Sequence, residues 1–228
     1  MKTSLILILL ALVVTGMAAC SGGDQGNGEA GETAAVDKAE KPTKLIPAAS
    51  TVAETEQNLE ICRAATEKLG GALKSALMGA MGKEGPAGAM NVCHDEAEAI
   101  ANQICEEDGL VVGRTSLKFR NPHNAPDAWE KAGLETFAAR ITAGEKPQDL
   151  ELWATLTDAD GGRIFRYLKA IETGPLCLKC HGDEPTADVA RILADLYPED
   201  QALGFAKGDL RGAFTVQLEL PRSGASGS

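Results

Sequence analysis

Apolar positions along this chain change period in a way that separates helices from strands. From about Thr51, Leu59, Cys62, Leu69, Leu73 and Leu77 recur at three- and four-residue steps, which predicts a helix with one core-facing stripe. Gly70-Gly71 is its weak point, and Gly79 to Gly88, with Gly82, Gly85 and Pro86, predicts a connection. A second helix carries Cys93, Ala97, Ile100 and Ile104 on one face and ends at Gly109, so the pair predicts a helical hairpin. Leu110 to Phe119 has strand character, and Pro122 and Pro126 mark the loop after it. Asp127 caps a helix, with Glu130 three residues on, and Gly144 closes it. Leu150 to Thr157 and Arg163 to Ile171 are β-rich runs flanking an Asp/Gly-rich turn, which predicts a β-hairpin. Thr186 to Tyr197 is a short helix stopped by Pro198, and Gly212 to Leu220 alternates as a last strand. Helices first and antiparallel strands later predict an α+β domain.

The first fifty residues follow a different rule. Lys2 precedes an apolar run from Leu5 to Val14, and Met17-Ala18-Ala19 leads into Cys20. The run is too short to span a membrane and reads as a signal peptide over residues 1–19, with Cys20 expected to carry lipid. Plain secretion with cleavage after Ala19 is the other reading. Ser21, rather than Asp, after the cysteine favours the outer membrane by similarity to known sorting signals. Residues 20–50 lack apolar periodicity and read as a flexible linker with a span of roughly 30 Å. The folded domain is expected over 51–221, with a tail at 222–228.

Charge narrows the partners. The chain has 22 Lys and Arg against 33 Asp and Glu, a net charge of −11, and losing the leader with its single Lys2 makes it one unit more negative. Nucleic acid is therefore not an expected partner. A redox or signalling protein with a basic face would be steered toward such a surface, and a homodimer is equally compatible with the sequence.

Cys177-Leu178-Lys179-Cys180-His181 is the stretch with the strongest chemical content. In a C-x-x-C-H run, two thiols three positions apart can each add to one porphyrin vinyl group. The adjoining imidazole then falls beneath the iron, so the run reads as an attachment site for one covalent haem c. The competing readings are a disulfide, a thioredoxin-type pair and half of a zinc site. A thioredoxin motif opens a helix after a strand, and a zinc site needs a second ligand pair, which the sequence lacks. The sixth iron position has several candidates by residue type: His94, His123, Cys62, Cys93, Cys105, Met78, Met81 and Met90.

Four motifs in one order make a wider likeness. Arg114 to Pro122, Asn124 to Glu130, Leu176 to Gly182 and Gly208 to Ala213 resemble the family of single-haem c-type domains with a PAS-like fold, over roughly residues 55–220. The resemblance implies a PAS-like antiparallel sheet packed on a covalently bound haem, beside the N-terminal hairpin. It also implies that the iron carries His181 on one side and a cysteine thiolate on the other, at the position of Cys93. Arg114 and Arg120 are implied to approach the haem propionates, where a guanidinium pairs bidentately with a carboxylate. Cysteine accounting agrees once Cys62 and Cys105, at the far ends of the hairpin, are expected to form a disulfide, because Cys93 is then left over.

The function so implied is a periplasmic, lipid-anchored haem protein for redox or gas sensing or for electron transfer, not an enzyme. No kinase, cyclase or DNA-binding output is recognisable, so any signal is expected to pass to a partner protein. The alternative is a peroxidase-like haem enzyme with an open distal site near His123. A third reading, a structural lipoprotein with a vestigial motif, would bind no haem.

Overall fold

The computed structural model describes residues 46–157 and 160–222. The expected signal peptide, Cys20 and most of the linker lie outside the described residues, as does the tail from residue 223. Among the described residues, no helix is long and apolar enough to cross a membrane.

A five-stranded antiparallel sheet runs in the order β1-β3-β4-β5-β2. Its strands are β1 (Ile46–Pro47), β2 (Val111–Thr115), β3 (Glu151–Thr157), β4 (Arg163–Glu172) and β5 (Leu210–Leu220). The four longer strands make the expected PAS-like sheet, and the expected β3–β4 hairpin pairs Thr157 with Arg163. β1 falls in the stretch read as linker: Ile46 and Pro47 pair with Thr157 and Leu156. A two-residue strand has no period, so spacing could not show it.

Strand alternation sends each face of the sheet to a different partner. Phe165 and Tyr167 of β4, with Val216 of β5, pack beneath Leu59, Cys62, Ala65 and Leu69 of α1 (Val52–Asn91) and Ile104 of α2 (Ala97–Asp108). Leu168, Ala170 and Ala213 face the other way, against Leu134 and Phe137 of α3 (Ala128–Thr142). α3 opens with the expected capping box. The Glu130 N–H donates to Asp127 Oδ1 at 2.8 Å, and the Asp127 N–H donates to Glu130 Oε2 at 2.9 Å.

The hairpin is present, but its turn differs from the expected one. Residues 79–88 are helical except at Gly85, where φ of +71° breaks the path. Pro86 follows the break as a first helical residue, the one interior position where its missing N–H costs nothing. Lys68 pairs with Glu107 at 2.9 Å and Asp108 at 2.8 Å, which fixes the antiparallel register. That register sets Cys105 level with Gly70–Gly71 and away from Cys62. The expected disulfide is accordingly not formed: both thiols are free, and Cys105 Sγ accepts the Val112 N–H at 3.4 Å.

Candidate functional site

The helical hairpin, the sheet and the Cys177–His181 turn together line a cavity of about 470 Å3. The six residues expected at the haem site line it, Cys93, Arg114, Arg120, Cys177, Cys180 and His181; of the other candidates for the sixth iron position, Met81 and Met90 also do, whereas His94, His123, Cys62, Cys105 and Met78 do not. The six come from three separate parts of the chain, and each is positioned by a local feature.

Cys93 sits in a π turn, Val92–Glu96, inserted between α1 and α2. One extra residue in a turn shifts the helical phase, and such insertions concentrate at functional positions. The apolar stripe could not reveal it, because Cys93 still reads in phase with Ala97. His94 points elsewhere: its ring stands edge-on to Tyr197 at 5.5 Å and its Nδ1 lies 2.6 Å from Asp95. His123 does not line the cavity; its Nδ1 lies 3.6 Å from Glu98 on an exposed face.

The C-x-x-C-H run forms one helical turn, α4 (Leu178–His181), with Cys177 as its N-cap. A helical turn after a strand does occur here, so that part of the case against a thioredoxin motif is lost. At four residues, however, α4 is too short to act as an N-terminal helix for a reactive thiol, and burial pushes the Cys180 thiol upward, away from reactivity. Among the described residues, no group of three His, Cys, Asp or Glu side chains is placed to hold a bare metal ion.

His181 is oriented before any ligand arrives. Its Nδ1–H donates to the carbonyl oxygen of Ala202 at 2.8 Å, which leaves Nε2 as the unprotonated nitrogen. Burial, reinforced by Arg211 and Arg120, lowers its pKa to about 2, so the ring is neutral at any physiological pH. A neutral imidazole held by its far nitrogen is the state that a metal ligand requires.

The arginines divide into two kinds. Arg120 is engaged on all sides. Its Nη2 pairs with Asp200 at 3.0 Å and donates to the Cys180 carbonyl at 2.7 Å, while Nη1 lies 3.9 Å from Met90 Sδ. It therefore fastens α4 to the chain after β2, and its charge is already balanced by Asp200. Arg114 and Arg211 are the opposite case, for neither has a carboxylate partner among the described residues. Burial pulls the pKa of Arg114 down, and that of Arg211 falls to about 10, mainly by burial and then by repulsion from Arg120. Arg211 was not singled out from the sequence. It is the residue skipped where pairing passes from Ile171–Gly212 to Glu172–Leu210, and such a bulge re-aims a side chain out of the ladder.

Tyr197 and Met90 complete the wall, and both belong to the cluster that α5 (Ala187–Leu196) makes through Val189 and Leu193. Burial raises the Tyr197 phenol to about 12, so it stays a neutral hydroxyl.

Fold and cavity together define an α+β domain with a PAS-like sheet. A C-x-x-C-H turn, a cysteine from a helical hairpin and two unneutralised guanidinium groups share one cavity within it. The chain belongs to the Tll0287-like family, whose model, described as Tll0287, matches residues 29–218. It is similar to the crystal structure of the cyanobacterial haem protein Tll0287, with a TM-score of 0.53 and 24% identity, over 76% of this chain and 99% of that one. At that identity the likeness speaks for the fold. No curated protein matches the chain. The family relation expected from the four sequence motifs is therefore established.

Proposed function

We propose that this chain is a c-type haem protein that works in redox or gas sensing or in electron transfer, exported to the periplasm and held to a membrane through lipid on Cys20. The observation that carries the reading is the convergence of Cys177, Cys180, His181 and Cys93 on one cavity, with the His181 imidazole neutral and its Nδ1–H already bonded. The residues fit the group. Two thiols stand at the spacing for vinyl addition, a nitrogen lone pair is available for iron, and the half-buried cations Arg114 and Arg211 suit carboxylates.

In this reading, Cys177 and Cys180 hold the porphyrin by thioethers, and His181 and Cys93 ligate the iron. The bound group supplies a one-electron Fe(III)/Fe(II) couple. The chain sets its poise: an anionic Cys93 sulfur favours the ferric state, and the Ala202 carbonyl strengthens His181 as a donor. Bonding to a cation would also remove the thiol proton of Cys93 within the cavity. Arg120 keeps α4 in place while its own charge is balanced by Asp200.

The peroxidase-like alternative needs an acid–base residue over an open iron position. His123, the residue expected for it, lies outside the cavity wall. The test is mass spectrometry and absorption spectroscopy of full-length protein matured with a cytochrome c assembly system. Denatured protein should retain the haem mass, and loss of all haem on acid-acetone extraction would refute covalent attachment.

A further inference from the structure

His181 is gripped from behind by a short segment, Ala202 to Phe205, that no sequence motif marks. The Ala202 carbonyl oxygen accepts the His181 Nδ1–H at 2.8 Å. The Gly204 N–H donates to the Gly182 carbonyl at 3.2 Å, and the Phe205 N–H donates to the His181 carbonyl at 3.0 Å. The Phe205 ring stands edge-on to the imidazole, with centroids 6.3 Å apart and planes at 87°. Phe205 is only 7% exposed, and Ala202 is fully buried. On the other side of the phenyl ring lies an open cleft of about 300 Å3, walled by Phe205 together with Lys118, Ala138, Ile141, Asp209 and Leu210. Lys118 braces the partition from that side: its Nζ lies 4.6 Å from the centre of the Phe205 ring and donates to the Leu203 carbonyl. Phe205 lines the cleft and His181 lines the main cavity, so the phenyl ring is what stands between the cleft and the back of the imidazole.

We propose that Phe205 is a positioning residue for the His181 imidazole. Its ring fixes the imidazole plane and keeps water in the cleft away from the Nδ1–H···O=C hydrogen bond, with Lys118 holding it in place. The positioning stands on contacts within the chain; its consequence for iron rests on the haem reading. A single hydrogen bond leaves a ring free to roll about the N–H···O line, and a second contact off that line removes the freedom. Edge-to-face packing supplies such a contact. Water admitted beside Nδ1 would compete for the Ala202 carbonyl and weaken the hydrogen bond that makes the ring a strong donor. An ammonium is attracted to an aromatic face, so Lys118 presses the phenyl ring toward His181 and closes the cleft side.

The experiment follows the His181 Nδ1–H by nitrogen–proton NMR in full-length protein carrying isotope-labelled histidine, both loaded with haem and without it. In F205A that proton should exchange with water about tenfold or more faster than in wild type. F205L keeps most of the apolar volume, so it holds the fold where F205A does not, and it should move the rate in the same direction. F205Y keeps the ring and should stay near the wild-type rate. A merely structural role would lower the unfolding midpoint and leave the exchange rate unchanged; a wild-type rate in F205L would overturn the proposal, as would fast exchange in F205Y. K118M should also speed exchange, and an unchanged rate there would take Lys118 out of the brace. In loaded protein, release of the imidazole plane should broaden and shift the low-spin ferric paramagnetic resonance lines of F205L but not of F205Y. A chain that takes up no haem would remove the haem reading and leave the exchange result standing, whereas unchanged exchange in F205L would remove the positioning and leave the haem reading in place.

Discussion

Arg120 Nη2 lies 2.7 Å from the carbonyl oxygen of Cys180, inside the C-x-x-C-H turn itself. The same guanidinium is paired with Asp200, and the two side chains are only 7% and 8% exposed. The turn is thus tied to a buried ion pair, beside the hydrogen bonds that join His181 to Ala202 and Phe205. Removing one partner of such a pair strands a charge, which costs roughly 3–5 kcal/mol. R120M should therefore lower the stability of the full-length protein by about that amount in urea unfolding, and R120M/D200N should recover part of it. A loss in R120M below about 1 kcal/mol would show that the pair does not anchor the turn.

Gly212 is the second fixed point beneath the cavity. A Cβ at this position would meet the Thr115 carbonyl oxygen at 2.4 Å, and the backbone φ of +155° is itself one that side chains rarely adopt. G212A should cost roughly 1–3 kcal/mol by thermal or urea unfolding, and should spread β2 from β5. Faster amide exchange at Thr115 and Ala213 than at the distant Leu156 is the local signature. Uniform exchange along the sheet would argue against it.

How far the sequence could be read depends on what kind of signal each element leaves. Asp127 and Glu130 announce the start of α3 because a reciprocal cap needs those side chains at that spacing. The β-rich run of β4 and the alternation in β5 announce the sheet, because a strand pairs β-branched and aromatic residues and gives each face its own partner. The motif cysteines, His181 and Cys93 were identifiable by residue type and family likeness, and all line one cavity. Conformational singularities were not legible. A π turn adds one residue without breaking the apolar stripe, a bulge re-aims Arg211 without altering the alternation around it, and helix persists through a segment rich in Gly. Nor could the partner of Arg120 be read: Asp200, which pairs with its guanidinium, lies eighty residues away.

Glu151 gives the fold a pH dependence that can be measured away from the cavity. Its carboxylate accepts from Arg63 Nη2 at 2.6 Å and from the Tyr167 hydroxyl at 2.8 Å. The Arg63 hydrogen bond, aided by Tyr167, holds its pKa below the ordinary 4.5 against the opposing effect of burial. A depressed folded-state pKa means that this stabilisation is complete above pH 4.5 and is lost as pH falls through the lower, folded value. E151Q should lose about 1 kcal/mol at pH 7, since Arg63 is partly exposed, and should show a shallower fall in stability below pH 4.5. Urea unfolding at several pH values between 3 and 7 checks this; parallel curves for the two proteins would assign the acid sensitivity to other carboxylates.

The last expectation concerns the sulfur of Cys93, and the geometry limits what can replace it. Met81 and Met90 also line the cavity, but Met90 is almost fully buried in the cluster with Val189 and Leu193, and its Sδ already faces Arg120. His94 and His123 do not line the cavity and are engaged with Asp95 and Glu98. Cys62, pushed up to about 12 by burial, remains a neutral core thiol beneath the other end of the hairpin. Cys93 is therefore the cysteine both placed in the wall and free of the attachment motif. In haem-loaded protein, C93A should convert a low-spin ferric absorption and electron paramagnetic resonance spectrum to a high-spin one. C93S should do the same, because a neutral hydroxyl is a poor ligand for ferric iron. C93A should also raise the reduction potential, since it removes an anionic ligand that favours the ferric state. A simultaneous change of spin state and potential identifies the sulfur as the ligand, whereas packing loss alone would lower stability and leave the spectrum low-spin. An unchanged low-spin spectrum in both variants would assign the sixth position to another residue, with Met81 the next to replace.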